Sequence, residues 1–308
     1  MQESIRNYGY TLILDEVLEV VQPVSISKAD QKILENTGMI EVGEDNVVRW
    51  KDREYKGEFN HLKRMANSKT LIRMEERAYL WIMPVKTLTA FSEMFVLTFM
   101  FDGSHMKHYL DLYSMKYRIY HVSDGILCEG KQPLEAKKQR IRGLMQIYEG
   151  TYNTVGDHRN ALSKSWWKNA NKNGHVKVMR NNTYSFFRYE CEAKSHDCMW
   201  SVFSERKAAC APNGYAKGFC ACNARATNEY REKQNLAYLV NVYDHPYVVK
   251  WLSQQGIQTD EDAFALSQLV QWVWRSAIRD GKRIMLYLPS KRMRNLLVNW
   301  LENKEGGK

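Results

Sequence analysis

The chain has 308 residues, a net charge of +10, and 44% hydrophobic against 26% charged residues, as in ordinary globular proteins. It contains no apolar run of about 18 residues that could form a transmembrane helix, and its first residues lack the basic start and cleavage site of a secretory signal. These features exclude an integral membrane protein and a secreted disulfide-rich protein. They predict a cytoplasmic protein with room for two domains of about 150 residues each.

The first part of the chain alternates predicted strands and helices. The apolar run TLIL (11–14) predicts a strand buried on both faces of a parallel sheet. Residues 38–50 predict a hairpin, 57–67 a helix, 78–83 a second buried strand and 94–101 a third. Ser104 is placed to cap a helix that runs to Tyr113, and a fourth strand is expected at 117–122.

The second part repeats the pattern after a charged stretch at 129–150, which we interpret as a connection. Strands are predicted at 198–203, 218–222, 237–243 and 283–289. Helices are predicted after Pro246, over 266–281, and from Ser290 to about Asn303. The pattern predicts an α/β protein with two lobes, at residues 1–128 and 151–308.

The positive charge is concentrated in one segment. From Lys131 to Arg188, twelve Lys and Arg stand against three acidic residues, a net charge of +9. Aromatic residues lie among these cations, and Trp166 and Trp167 are the candidates for stacking on bases. This segment predicts a nucleic-acid partner, with a solubilising surface as the alternative.

The cysteines offer a weaker signal for a metal. Five of the six lie between Cys191 and Cys222, together with His196, but no CxxC pair occurs among them. A zinc-stabilised module is therefore only a minor interpretation.

Three short stretches carry candidate chemistry. Asp15 and Glu16 follow a predicted strand, where α/β proteins bind ligands and where carboxylates can hold Mg²⁺ and polarise water. Gln271, Arg275 and Arg279 are spaced by four residues, which predicts a polar stripe on one helix face. Paired arginines can neutralise charge on a transferred phosphoryl group. The segment CNARATNEYR (222–231) follows a predicted strand and offers phosphate-binding groups. Each stretch also has a purely structural interpretation. The acidic pair, and Thr227 or Asn228, could each mark the start of a helix, and the arginines could lie on a solvated helix face.

The order of these stretches resembles the motor core of superfamily 2 helicases, in particular the divergent helicase-like proteins of phages and their hosts. The resemblance covers nearly the whole chain. It is carried by ILDE (13–16), FVLTFMFDGSHM (95–106), ALSKSWW (161–167), GYAKGFCACNARATNEY (214–230), QWVWRSAIRDG (271–281) and YLPSKRMRNLL (287–297).

This resemblance implies two RecA-like lobes with mainly parallel sheets, with ATP and Mg²⁺ between them. Asp15 and Glu16 would be the Walker B pair, with Asp15 reaching Mg²⁺ through ATP. Thr98 would couple hydrolysis to movement, and Gln271, Arg275 and Arg279 would form the sixth motif, whose arginines reach the γ-phosphate. The nucleic acid, with DNA favoured and either single-stranded or duplex, would contact Lys217, Asn223, Arg225, Thr227 and Asn228.

Two departures from the helicase pattern affect the prediction. Trp274 replaces the usual glycine of the sixth motif, and the second arginine comes one residue later. No GxxxxGK[ST] phosphate loop precedes Asp15. We therefore expect an N-terminally incomplete first lobe, from a truncated or split gene, that has little ATPase activity unless a separate chain supplies the Walker A segment. The alternative is a non-enzymatic nucleic-acid-binding protein derived from a helicase.

Overall fold

A computed structural model of the protein describes residues 2–75, 78–224 and 227–303. The α-helices are α1 (Gln2–Tyr8), α2 (Lys28–Asn36), α3 (Asn60–Asn67), α4 (Val85–Leu88), α5 (His105–Leu112), α6 (Glu135–Leu144), α7 (Lys164–Asn169), α8 (His175–Ser185), α9 (Lys207–Cys210), α10 (Pro246–Gln254), α11 (Glu261–Val273) and α12 (Lys291–Leu301). The strands are β1 (Thr11–Leu14), β2 (Val21–Val24), β3 (Ile40–Val42), β4 (Val48–Trp50), β5 (Leu71–Glu75), β6 (Ala78–Ile82), β7 (Glu93–Val96), β8 (Tyr120–Ser123), β9 (Ile126–Glu129), β10 (Met145–Ile147), β11 (Cys198–Ser201), β12 (Asn235–Tyr238) and β13 (Ile284–Tyr287).

The chain folds into two compact units, and neither is one continuous segment. Unit 1 contains the described residues up to Tyr117 together with Asp244–Asp260. Unit 2 contains Arg118–Tyr243 and the described residues from Glu261 onward. The backbone therefore passes between the units three times, whereas the sequence predicted a single connection at 129–150.

Unit 1 combines parallel and antiparallel pairs. β1 and β7 are parallel, whereas β2, β6 and β5 form an antiparallel sheet and β3 and β4 form the predicted hairpin. Pro23 lies in β2, an edge strand, where the amide that proline lacks is not needed for the ladder. The expectation of a mainly parallel first lobe is therefore wrong for the described part of unit 1, because most of its strands belong to antiparallel sheets.

The strand at 11–14 forms as predicted, but it is not buried on both faces. Side chains of β1 alternate between exposed and half-buried, and Ile13 is 66% exposed. Leu12 and Leu14 point the other way and pack against the core built by Leu80, Met106 and Tyr109. One face of the β1–β7 pair therefore carries the core contacts, and the other carries exposed apolar side chains.

Helix α10 belongs to unit 1, although it is flanked in the chain by elements of unit 2. It starts at Pro246, as predicted, because proline suits the first turn of a helix. Its buried residues Val248, Trp251 and Leu252 complete the core of unit 1 against β2 and β6.

Unit 2 is built on a four-stranded sheet with the order β10-β13-β12-β11, and every pair in it is parallel. β10 is an edge strand with Met145 opposite Ile284. The predicted connection at 129–150 therefore contributes α6 and a sheet strand to this unit. A three-residue strand that follows a charged helix offers little pattern in the sequence, so its pairing with β13 could not be predicted.

The core of unit 2 is rich in aromatic residues. Trp167, Trp200, Phe186, Phe187 and Tyr287 are fully buried in it. Helices α11 and α12 pack against each other, and α12 also contacts α6. The helix predicted from Ser290 is present as α12, and Ser290 caps it, because its hydroxyl oxygen accepts a hydrogen bond from the Met293 amide at 3.4 Å.

Within the described ranges, we find no helix with both the length and the apolarity needed to cross a bilayer.

The substitution Leu252→Ala is expected to destabilise unit 1 by about 2–5 kcal/mol, because a fully buried leucine leaves a cavity. Hydrogen exchange should report the loss at the amides of β6. Ser253→Ala, an exposed change on the same helix, is the control and should leave exchange unchanged. Equal loss of protection in β12 and β13 would contradict the assignment of α10 to unit 1.

Candidate functional site

The carboxyl ends of β1 and β7 bring three predicted residues together. Leu14 lies opposite Val96, and the Leu97 amide continues the ladder by donating to the Leu14 carbonyl oxygen at 2.8 Å. Asp15 and Glu16 follow β1 at the same edge at which Thr98 follows β7. Because the carboxyl ends of parallel strands are where α/β proteins bind ligands, this edge is the candidate site of unit 1.

The side chains at this edge fit a magnesium ion. Asp15 and Thr98 are exposed, and Glu16 is half-buried. Mg²⁺ prefers carboxylate oxygens and keeps several of its water molecules, so an exposed aspartate suits it. Asp15 would be the ligand at this edge.

A buried ion pair in unit 1 lies outside the predicted set. The Nε2 atom of His105 is 2.8 Å from Oδ2 of Asp244, whose side chain is buried. Oδ1 of Asp244 accepts a hydrogen bond from the His245 amide at 2.6 Å. His105 opens α5, which Ser104 caps as predicted through the Lys107 amide. The two partners are 139 residues apart, so no local pattern in the sequence predicts their contact.

The predicted helical stripe of Gln271, Arg275 and Arg279 does not form. Helix α11 ends at Val273, and Ala277–Asp280 is a separate 3₁₀ turn that ends at Gly281 with φ +74°. The helix stops because the buried Ser276 adopts an extended conformation and its hydroxyl donates to the Val273 carbonyl oxygen. Gln271 therefore lies in the last turn of the helix, Arg275 in the short segment after it, and Arg279 within the 3₁₀ turn.

Residues of the two predicted motifs of unit 2 nevertheless meet. Nη1 of Arg279 donates to Oδ1 of Asn228 at 3.0 Å. Arg231 binds Asp280 through two hydrogen bonds of 2.6 and 2.8 Å, and this pairing lowers the pKa of the Asp280 carboxyl. A third pair joins Lys282 to Glu232. These contacts connect the segment before β12 with the segment before β13.

This cluster lies toward the amino ends of β12 and β13. The Ala277 amide donates to the carbonyl oxygen of Lys233, two residues before β12 begins. The sequence had placed residues 223–228 at the carboxyl end of a strand at 218–222. That strand is not present as predicted, because the segment contributes only one bridge, between Phe219 and Trp200.

The remaining predicted nucleic-acid contacts are spread around this segment. Asn223 and Lys217 are exposed, with Lys217 in a 3₁₀ turn. The Thr227 hydroxyl oxygen accepts a hydrogen bond from the Glu229 amide at 3.4 Å, so part of its hydrogen-bonding capacity serves the turn. Arg225 lies outside the described residues.

The two predicted arginines differ in their surroundings. Arg279 is exposed, whereas Arg275 is half-buried. Burial raises the pKa of the Cys220 thiol to about 11, and the nearby charge of Arg275 partly opposes that shift. The adjacent Trp272 indole donates to the Cys220 carbonyl oxygen at 3.2 Å. Arg279 is therefore the arginine presented to solvent.

Trp167 is a core residue and not a stacking surface, so this part of the prediction is wrong. It is 1% exposed, and its indole donates to the Leu239 carbonyl oxygen at 3.3 Å. Trp166 is half-buried and already stacks on His175, with ring centroids 4.8 Å apart. The sequence showed two adjacent aromatics among cations, but it could not show that α7 turns one of them into the core.

The basic segment does provide an exposed cationic surface. We use the name α7–α8 face for the exposed cations on these two helices and in the segments directly after them, namely Lys164, Lys168, Lys172, Lys177, Arg180 and Arg188. Among the described residues, none of these six cations has a carboxylate partner within 4.0 Å. Their charges are therefore available to a polyanion.

Arg292, in the YLPSKRMRNLL stretch, has a structural role that the sequence did not reveal. Its guanidinium donates to Asp262, to the buried Asn241 and to the Val242 carbonyl oxygen, and it stacks over Tyr243 at 4.3 Å. It ties the segment after β12 to the starts of α11 and α12. These contacts use its hydrogen-bond donors within the fold.

The cysteine region gives no support to a metal. In residues 2–75, 78–224 and 227–303, no group of three or more His, Cys, Asp or Glu is arranged to hold an ion.

Comparison with known proteins identifies the family of this chain. Residues 139–301 match the YonV C-terminal Rossmann-like domain, and residues 21–81 match the YonV middle domain. A relative from Bacillus subtilis (strain 168), described as SPbeta prophage-derived uncharacterized protein YonV, is 39% identical over 315 residues. That match covers 98% of this chain and 76% of the relative. This chain belongs to the YonV family.

The family agrees with the α/β class and with the parallel sheet of unit 2. The Rossmann-like match spans the elements from α6 to α12, and the middle-domain match begins with β2 and ends within β6. No solved structure matches the chain. The relative is described as uncharacterized, so this match assigns no activity to the chain.

Burial predicts a clear order of thiol reactivity. It raises the pKa of Cys191 and Cys210 to about 12, and that of Cys220 to about 11, so these thiols stay protonated at pH 8. Iodoacetamide should therefore label Cys128 of the native protein first, and all six cysteines once the protein is denatured, as read by mass spectrometry. Rapid native labelling of Cys220 would show that the packing of Trp272 over it is not as described.

Because the folded state raises these pKa values, the buried thiols contribute stability that is fully present below their unfolded pKa of about 8.5. That contribution should be lost as the pH rises through their folded values toward about 11 to 12, and urea titrations at pH 7.5 and 10.5 would measure the difference.

Proposed function

We propose that this chain forms part of a nucleic-acid-dependent ATPase of helicase type, with two RecA-like lobes. The observation that carries the proposal is the parallel pairing of β1 and β7. It brings Asp15 and Glu16 beside Thr98, although about 80 residues separate them in the chain. A Walker B pair next to the coupling motif is the arrangement that the resemblance to superfamily 2 helicases implies.

The residues of unit 1 take the following roles in this proposal. Asp15 holds the Mg²⁺ that accompanies ATP, and Glu16 polarises the attacking water. Thr98 lies at the same edge and senses the state of the nucleotide. The phosphates of ATP require a Gly-rich loop, which a further segment supplies.

Arg279 is the proposed arginine finger. It is exposed, and Asn228 orients its guanidinium from one side only. An arginine in this role neutralises charge on a transferred phosphoryl group. Arg275 is half-buried in the segment after α11, and Gln271 lies in the last turn of that helix.

The nucleic acid is proposed to lie along the α7–α8 face. Six exposed cations without carboxylate partners favour binding to phosphates, and this binding needs no particular base sequence. Lys217, Asn223 and Asn228 extend the polar surface in the segment before β12.

The same six cations also favour a second candidate, a non-enzymatic nucleic-acid-binding protein. Both candidates predict salt-dependent binding, but only the motor predicts that ATP changes the affinity. Measuring binding to single-stranded DNA with and without ATP distinguishes them.

The motor predicts ATP turnover, stimulated by single-stranded DNA, once a segment that carries a Gly-rich phosphate loop is present. The part of the Bacillus subtilis relative that lies outside the match, produced as a separate polypeptide, is the source to use. Glu16→Gln should abolish this turnover, and Arg279→Ala should lower it by about a thousandfold.

Arg283→Ala is the matched control, because Arg283 is exposed and precedes β13 by one residue. It should leave turnover unchanged. Sustained turnover in the Glu16→Gln protein would refute the role of this carboxylate, and equal losses in Arg279→Ala and Arg283→Ala would refute the finger.

The binding surface has a separate prediction. Reversing Lys168 and Lys172 to glutamate should weaken binding to DNA of any sequence, and the slope of log affinity against log salt should fall by about one for each lysine that no longer binds a phosphate. Fluorescence anisotropy at several salt concentrations measures both effects. Lys28→Glu, an exposed change in unit 1, is the control. An unchanged slope in the double variant would place the nucleic acid elsewhere.

A further inference from the structure

The β1–β7 pair has an apolar face that no other described element covers fully. Ile13 and Phe95 are register partners and are 66% and 51% exposed, and Leu97 continues the row at 57%. We call these three residues the open face. The opposite side chains, Leu12, Leu14, Met94 and Val96, pack into the core of unit 1.

Such a face is unusual for parallel strands. Parallel sheets are normally covered on both faces, and a two-stranded sheet alone is only marginally stable in water. Unit 2 of the same chain follows the rule, since β11 is buried along its whole length in a sheet of four strands. Among the described residues, β1 and β7 pair only with each other, so each also leaves backbone groups for a further strand.

The family match leaves part of the relative unaccounted for. The segment that matches residues 21–81 is described as a middle domain, and 24% of the Bacillus subtilis relative lies outside the 76% that is matched. The relative therefore contains additional polypeptide that has no counterpart in the matched part, and this polypeptide is the occupant that we consider for the open face.

We propose that the open face and the free edges of β1 and β7 bind a strand–helix segment that corresponds to the unmatched part of the YonV relative. A strand of this segment extends the parallel sheet, and its helix covers Ile13, Phe95 and Leu97. Strand addition supplies backbone hydrogen bonds, while the apolar side chains supply burial. The identification of this segment as the carrier of the phosphate loop rests on the proposed function, whereas the docking itself does not.

The test uses the full chain of 308 residues and the unmatched part of the relative as a separate polypeptide. Calorimetry should show one-to-one binding, and hydrogen exchange should slow at the amides of residues 11–14 and 93–97. Ile13→Glu and Phe95→Glu should each weaken binding by about tenfold or more, because each places a charge in an apolar contact.

Ile126→Glu is the matched control. Ile126 is also 66% exposed in a two-stranded pair, but it lies in β9 of unit 2, so binding should not change. Because Ile13 and Phe95 are exposed, their substitution should leave the melting temperature of the isolated chain nearly unchanged. If a variant does unfold, the exchange pattern of the wild-type complex still decides the question.

The outcomes separate the two proposals. Binding that protects β1 and β7 without ATP turnover supports the docking and counts against the motor. ATP turnover that is insensitive to Ile13→Glu and Phe95→Glu supports the motor and overturns the docking. Absence of binding overturns the docking, as does self-association of the chain alone that Ile13→Glu abolishes, since a second copy would then occupy the face.

Discussion

The parallel pairing of β1 with β7 is the interaction on which the candidate chemistry of unit 1 depends. Without the ladder from Leu14 to Val96 and on to Leu97, the acidic pair and Thr98 would be unrelated loop residues. The pair is held from one side only, by side chains that reach the core completed by α5 and α10. The same four-residue strands that align the polar groups also leave Ile13 and Phe95 exposed, so the candidate site and the open face are two consequences of one short sheet.

Unit 2 is stabilised by different contacts. Its four parallel strands are packed with large aromatic side chains, and polar cross-links fasten the loops at both ends of the sheet. At one end Arg292 joins Asp262 and Asn241, and at the other Arg279 and Arg231 join Asn228 and Asp280. The exposed pairs contribute little to stability, so their main effect is to fix the direction of the side chains. Arg292 is mostly buried and is held by several partners, which suits a structural role.

Local signals in the sequence predicted local structure well. The β1 strand, the hairpin at residues 40–50, the cap at Ser104 and the helices from Ser290 and after Pro246 all depend on neighbours within a few residues, and all are present. The arginine stripe failed because a buried serine hydroxyl at position 276 ends the helix, a tertiary effect that periodicity does not register. Trp167 and the strand β10 were missed for the same kind of reason, since burial and strand pairing depend on residues far away in the chain. In the candidate site, the meeting of Asp15 and Glu16 with Thr98 followed from motif order, whereas the bond between Arg279 and Asn228 needed the folded loops.

Unit 1 is built from two separate segments of the chain, and this affects how it folds during synthesis. The core of unit 1 needs α10, yet 143 residues separate Tyr117 from Asp260, where its second segment ends. At a translation rate of about 5 to 20 residues per second, this interval lasts about 7 to 30 seconds. Throughout that time the nascent surface that later receives Val248, Trp251 and Leu252 stays accessible to chaperones. Folding of unit 1 therefore starts first on the ribosome, and it cannot finish before the strands β10, β11 and β12 of unit 2 have been synthesised.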